Sequence, residues 1–131
     1  MIVVDASVVT TALADDGEEG DFLRGRLEGR VLYAPEVLDL EVISSWRGQM
    51  RAGKLIDQRV RQALDDLYDM PLLRAPHRQL ATRVWELRDN LSAYDGSYVA
   101  LAEALRIPLV TTDARLARAP GVRCEVEVLA A

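Results

Sequence analysis

Short runs of aliphatic and β-branched residues alternate with longer helical segments along the 131 residues of this chain. Five strands are predicted, at residues 2–4, 31–34, 71–74 and 108–112, with the last one inside 122–128. Helices are predicted at residues 6–14, 21–27, 36–51, 57–68, 76–89 and 93–105. Strands that alternate with helices build a mostly parallel sheet that is covered on both faces. The sequence therefore predicts a three-layer α/β/α sandwich, formed as a single domain over residues 1–131.

Four acidic residues follow the predicted strands or begin the helices after them: Asp5, Glu41, Asp95 and Asp113. A helix over residues 94–105 descends roughly 18 Å, and the five-residue strand after it climbs back roughly 16 Å. Asp95 and Asp113 therefore return to the same edge of the sheet. The carboxyl ends of parallel strands form the edge at which open α/β sheets bind ligands. We expect all four carboxylates in one acidic pocket at that edge.

A divalent cation is the simplest explanation for such a pocket. Carboxylates gathered closely repel one another and would take up protons unless a cation neutralised them. Oxygen ligands favour Mg²⁺ or Mn²⁺. A zinc site is a poor alternative, because the chain has one cysteine, Cys124, and one histidine, His77, whereas zinc usually takes four such ligands.

Each acid also has a purely structural interpretation. Asp5 could form a turn at the end of its strand. Asp95 stands three residues after Ser92, in the spacing of a capping box. Asp113 could cap the short helix that follows it, and Glu41 could be a solvated helix residue. The metal-site hypothesis depends on the four residues as a set.

Composition limits the remaining classes of function. The formal net charge of −5 argues against a protein that coats nucleic acid through basic residues, but it does not exclude a nuclease. Of the 16 basic residues only Lys54 is a lysine, and arginine binds phosphate through a planar fork. No apolar run reaches the ~20 residues of a membrane span, and the first residues lack the pattern of a signal peptide. We expect a cytoplasmic protein without a membrane partner.

Four segments resemble PIN-domain ribonucleases, especially the VapC toxins of bacterial toxin–antitoxin pairs. They are the opening IVVDAS at 2–7, the pair Glu41-Val42, the block AYDGSYVALA at 93–102 and the ending PLVTTDARL at 108–116. The resemblance spans nearly the whole chain. It implies an endoribonuclease that depends on Mg²⁺ or Mn²⁺ and cleaves RNA by metal-activated water, as the toxin of a type II toxin–antitoxin system.

By the same resemblance, the catalytic and metal-binding set would be Asp5, Glu41, Asp95 and Asp113. Ser7 and Thr111 would be hydrogen-bonding helpers at the substrate site beside it. Arg115 could hold an RNA phosphate, although a solvated loop arginine is an equal alternative. The chain departs from the family at Ser44, where such toxins often carry asparagine. This departure puts in doubt any contact that needs an amide there.

The expected partners are an RNA substrate, a cognate VapB-type antitoxin and a second copy of the chain. Trp46, Met50, Leu55 and Ile56 on the predicted helical hairpin cannot all reach one core, so we expect exposed apolar surface there. An antitoxin strand or helix would bind in a groove near this hairpin. The alternative from another class is a non-catalytic, PIN-like module that only binds a protein partner.

Overall fold

The computed structural model describes residues 1–130, which form five strands and seven α-helices. The strands are β1 (Ile2–Val4), β2 (Leu32–Pro35), β3 (Leu72–Ala75), β4 (Leu109–Thr111) and β5 (Val126–Val128). The helices are α1 (Ala6–Ala14), α2 (Glu18–Leu27), α3 (Val37–Arg51), α4 (Asp57–Asp69), α5 (Ala81–Glu86), α6 (Ala93–Leu105) and α7 (Ala114–Arg118). Among these described helices, none is long and apolar enough to cross a membrane.

The strands form one sheet in the order β3-β2-β1-β4-β5, and every neighbouring pair is parallel. Ile2 lies opposite Leu32 on one side of β1, and Val3 lies opposite Leu109 on the other. All three side chains of β1 are buried although they alternate in direction, so helices cover both faces of the sheet. The predicted three-layer α/β sandwich is confirmed, with a sheet that is wholly parallel.

Helix α3 is fastened to α1 by a buried tryptophan. The Trp46 indole Nε1 donates a hydrogen bond of 3.1 Å to the Thr10 carbonyl, and the Trp46 side chain is fully buried. Trp46 therefore belongs to the core, whereas Met50 and Ile56 remain exposed on the α3–α4 hairpin. The expected apolar surface on this hairpin exists, but Trp46 does not contribute to it.

The helix predicted over residues 76–89 is wrong in its length. The chain instead makes a 3₁₀ turn at Arg78–Leu80 and then the short helix α5. No residue of α5 is fully buried, and of its apolar residues only Val84 packs, partly buried, against the core, so packing supports only a short helix in this segment. The Leu87 N–H is shared between the Arg83 and Val84 carbonyls, which is the tightened geometry typical of a helix end.

Helix α2 begins at Glu18, earlier than predicted, because the Asp15 carboxylate supplies acceptors before it. Asp15 Oδ1 accepts from the Gly17 N–H at 3.1 Å, and Oδ2 accepts from the Gly20 N–H at 2.9 Å. These bonds draw the backbone at Gly20 so close that an added Cβ would lie 1.9 Å from the Asp15 carbonyl oxygen. The α1–α2 junction thus requires glycine at this position.

We predict that Gly20→Ala destabilises the protein by about 2 kcal/mol or more, because backbone must move to admit the methyl group. Gly25→Ala in the same helix is the matched control, since a Cβ there meets nothing within 4 Å. Alanine at Gly25 should stabilise the helix by about 0.5–1 kcal/mol. Urea denaturation of both variants measures the difference. Equal effects would show that the close approach at Gly20 does not constrain the fold.

Candidate active site

The four acids lie at the carboxyl edge of the sheet, around its two central strands. Asp5 directly follows β1, and Asp113 follows β4 by two residues. Strands β2 and β3 extend the sheet on one side of β1, whereas β4 and β5 extend it on the other. This is the topological switch point at which open α/β sheets place their ligands. Glu41 in α3 and Asp95 in the first turn of α6 complete the set.

The carboxylates are close enough to act on one another. Burial raises the pKa of Glu41, and the charges of Asp5 and Asp95 raise it further. Burial likewise raises the pKa of Asp95, and the charges of Asp5 and Asp113 add to the rise. The structure therefore brings the predicted acids together, and their mutual repulsion is present in the folded chain.

Asp5 is held from two directions by hydroxyl groups. Its Oδ2 accepts a hydrogen bond of 2.8 Å from Ser7 Oγ and another of 2.8 Å from Thr111 Oγ1. Thr111 Oγ1 also accepts from the Asp113 N–H at 3.0 Å, and Ser7 Oγ accepts from the Thr112 N–H at 3.2 Å. Ser7 and Thr111 thus connect the ends of the two central strands, and both of their hydroxyls donate their hydrogen to Asp5.

Glu41 is oriented by Tyr98, a residue that the sequence analysis did not assign to the site. The Tyr98 hydroxyl donates a bond of 2.6 Å to Glu41 Oε1, and this bond opposes the rise in the Glu41 pKa. Tyr98 is fully buried, and burial together with the contact to Glu41 raises its own pKa, so the hydroxyl keeps its proton. The only signal in the sequence was the phenol of Tyr98 on a largely apolar stretch of α6 that also carries Ser97.

His77 is a second residue that supports the site from outside it. Its Nε2 accepts a hydrogen bond of 3.0 Å from the Val37 N–H, at the start of α3. This bond satisfies one of the free N–H groups at the helix end and ties α3, which carries Glu41, to the segment before the 3₁₀ turn. An imidazole used in this way does not approach the acids as a general base.

Asp95 has the capping geometry that its spacing predicts. The Asp95 N–H donates to Ser92 Oγ at 3.1 Å, which makes Ser92 the N-cap of α6. The capping bond fixes the first helical turn. The pKa of the Asp95 carboxylate is nevertheless raised, by burial and by the charges of Asp5 and Asp113. The capping and active-site interpretations of this segment are therefore compatible.

Asp113 is paired with Arg115 and also caps α7. The Arg115 Nη2 lies 2.6 Å from Asp113 Oδ2, and the Arg115 N–H donates to Asp113 Oδ1 at 2.9 Å. Hydrogen bonds from this arginine lower the pKa of Asp113. The two residues face a pocket of about 400 Å³ that Asp95 and Arg118 also line. This pocket is wide enough for a phosphodiester group.

The donor set suits a hard divalent cation, although the side chains are not gathered around a single point. Carboxylates are oxygen ligands of the kind that Mg²⁺ and Mn²⁺ prefer. Within residues 1–130, however, no three aspartate, glutamate, histidine or cysteine side chains are placed to hold one ion. Glu41 is turned to Tyr98, and Asp113 is turned to Arg115.

We predict that Glu41→Gln stabilises the metal-free protein at pH 7, because the neutral amide ends the repulsion and can still accept from Tyr98. The gain should be at most about 1 kcal/mol, since Glu41 is partly exposed and water screens its charge. A carboxyl whose pKa is raised by folding costs stability only as pH rises above its usual value of 4.5. The gain should therefore vanish near pH 4.

Thermal unfolding in EDTA across pH 4–8 measures this effect. Glu125→Gln is the control, because Glu125 is exposed and forms no ion pair in the described structure. A stability difference for Glu41→Gln that does not change with pH would show that charge repulsion at Glu41 is not its source.

Comparison with known proteins agrees with this geometry. The family model of the PIN domain matches residues 2–122. Ribonuclease VapC1 of Mycobacterium tuberculosis is 42% identical over 128 residues, which cover 97% of this chain and 96% of the relative. Ribonuclease VapC9 of the same organism is 40% identical over 129 residues, with 98% of each chain covered.

Solved structures share the fold at lower sequence identity. VapBC2 from Rickettsia felis, bound to a DNA fragment from its promoter, superposes with a TM-score of 0.68 at 17% identity and covers 98% of each chain. PAE2754 from Pyrobaculum aerophilum superposes with a TM-score of 0.65 at 24% identity, over 97% of this chain and 83% of that one. The chain therefore belongs to the PIN-domain family, among the VapC ribonucleases.

Proposed function

We propose that this chain is a metal-dependent endoribonuclease and the toxin of a type II toxin–antitoxin system. The observation that carries the proposal is the convergence of four acids at the switch point of the sheet, in a chain of the VapC ribonuclease family. Ribonucleases of this family are generally metal-dependent. For this chain we favour Mg²⁺ or Mn²⁺, and we expect it to meet its RNA in the cytoplasm.

Asp5, Glu41, Asp95 and Asp113 are the residues that would hold the cation. A bound Mg²⁺ or Mn²⁺ would neutralise charge and activate water for attack on phosphorus. Asp5 has one oxygen fixed by Ser7 and Thr111, and it therefore presents a carboxylate of defined orientation. The Tyr98 hydroxyl orients Glu41 in the same way. Ser7, Thr111 and Tyr98 act here as positioning residues.

The chain's own groups favour water over the ribose as the nucleophile. Activation of a 2′-hydroxyl needs a base and an acid near the scissile bond, and His77 accepts from the Val37 N–H at the start of α3. In-line attack by water expels the 3′-oxygen. The guanidinium N–H groups of Arg115 can donate hydrogen bonds to the phosphate, since Arg115 lines the acidic pocket.

A non-catalytic, protein-binding PIN-like module is the second candidate. One observation favours it: the four acids do not surround a common point, since Asp113 is engaged by Arg115. Such a module would not bind Mn²⁺ measurably in a calorimetric titration. Mn²⁺ binding that Asp5→Asn removes would exclude it.

We predict that EDTA abolishes RNA cleavage, that Mg²⁺ or Mn²⁺ restores it, and that Asp5→Asn lowers turnover by about 100-fold or more. The fold should survive, because asparagine can still accept from Ser7 and Thr111. Mass spectrometry should find 5′-phosphate and 3′-hydroxyl ends on the fragments.

Asp66→Asn, which removes one exposed charge from α4, is the control and should cleave like the parent. Full activity in excess EDTA, with contaminating nuclease excluded by the Asp5→Asn preparation, would refute metal dependence. Fragments with 2′,3′-cyclic phosphates would refute the role of water as the nucleophile.

We also propose a cognate antitoxin that docks beside the α3–α4 hairpin. A groove of about 680 Å³ runs between this hairpin and the α1–α2 junction. Its wall combines Ile56, which is 68% exposed, with charged residues of both signs: Asp15, Asp16, Glu19, Lys54 and Arg59. An antitoxin segment with one apolar face fits such a groove. The neighbouring gene product should co-purify with the chain, and Ile56→Ser should weaken that association.

The proposed homodimer has a separate apolar surface. Trp85 and Tyr94 line a groove of about 510 Å³ between α5 and α6, and their exposed fractions are 66% and 59%. Exposed aromatic side chains around an apolar groove are typical of protein interfaces. We predict that Trp85→Ser shifts the chain from dimer toward monomer in sedimentation velocity. Tyr68→Ser, at an exposed aromatic outside this groove, is the control, and an equal response to both substitutions would contradict this interface.

A further inference from the structure

Arg115 engages both carboxylate oxygens of Asp113. Asp113 Oδ1 accepts from the Arg115 N–H at 2.9 Å and from Nε at 3.1 Å. Asp113 Oδ2 accepts from Nε at 3.1 Å and from Nη2 at 2.6 Å. Three N–H groups of Arg115, with that of Nε shared between the two oxygens, therefore engage both ends of the carboxylate. A cation that uses Asp113 as a ligand must compete with the guanidinium.

The guanidinium of this ion pair is much more exposed to water than the carboxylate, so it is the group that can move away. The Arg115 side chain is 79% exposed, whereas that of Asp113 is 26% exposed. Exposed ion pairs contribute little to stability, because water solvates the released charges. Asp113 is also held independently of the guanidinium, because its backbone N–H donates to Thr111 Oγ1 and its Oδ1 accepts the capping bond from the Arg115 N–H.

A released guanidinium remains in the same pocket, where Arg118 adds a second positive charge. Its planar fork matches the oxygens of a phosphate as well as those of a carboxylate. We propose that Arg115 exchanges the Asp113 carboxylate for an RNA phosphate, so that divalent-cation binding and RNA binding favour each other. The inference rests on the proposed function, since it needs a cation and RNA in one pocket. By linkage, each ligand must strengthen the other by the same factor.

Calorimetric titration with Mn²⁺ tests the first half of the exchange. Arg115→Ala should bind Mn²⁺ about three- to fivefold more tightly than the parent, because no guanidinium competes for Asp113. Arg118→Ala is the matched control: it removes the same charge, which acts on Asp113 without a hydrogen bond. We expect its affinity for Mn²⁺ to change by less than about twofold.

A 5′-phosphorylated RNA dinucleotide, which has the expected product end, tests the second half. In Mn²⁺, Arg115→Ala should bind it about fivefold or more weakly. The dinucleotide should also tighten Mn²⁺ binding to the parent, and this gain should shrink in Arg115→Ala.

The two substitutions separate the exchange from the metal site. If Arg115→Ala and Arg118→Ala change Mn²⁺ affinity equally, or if the dinucleotide tightens Mn²⁺ binding equally in the parent and Arg115→Ala, the exchange is overturned while the metal site stands. If neither the parent nor any variant binds Mn²⁺, both proposals are overturned together.

Discussion

Repulsion among four carboxylates at one edge of the sheet is the constraint that the surrounding residues counteract. Burial at this edge makes the repulsion stronger, because less water screens the charges. Each acid therefore has a partner that tempers its charge or fixes its direction: two hydroxyls for Asp5, a phenol for Glu41, a guanidinium for Asp113 and a capped helix start for Asp95. The site is a set of acids with their partners, and a cation would replace only some of those partners.

The positions of the acids follow from the sequence because they depend on chain direction alone. Parallel strands end at a common edge, and a helix returns the chain to the start of the next strand. The lengths of the strand that ends at Asp5 and of the helix and strand between Asp95 and Asp113 could be counted from the sequence. These three elements lie where they were predicted. The wholly parallel order of the sheet follows from the same alternation of elements.

Side-chain pairing could not be predicted in this way. The bond from Tyr98 to Glu41 joins residues 57 positions apart, and nothing in either segment indicates the partner. The helix predicted over residues 76–89 was wrong in its length, because a helix without fully buried residues depends on weak local preferences. Trp46 shows the same limit from the other side: the sequence placed it among four hairpin residues that cannot all reach one core, and in the structure it is fully buried and donates to the Thr10 carbonyl.

At the starts of α6 and α7, neighbouring atoms both cap the helix and carry one of the four acids. Asp113 accepts the N–H of Arg115, the second residue of α7, and Ser92 accepts the N–H of Asp95. Asparagine caps a helix about as well as aspartate does, and a single nucleotide change converts one codon into the other. If Asp113 holds the cation as proposed, Asp113→Asn would therefore remove a ligand in one mutational step while the helix cap stays. Inactive descendants that persist as binding proteins would then lie one step from active ones.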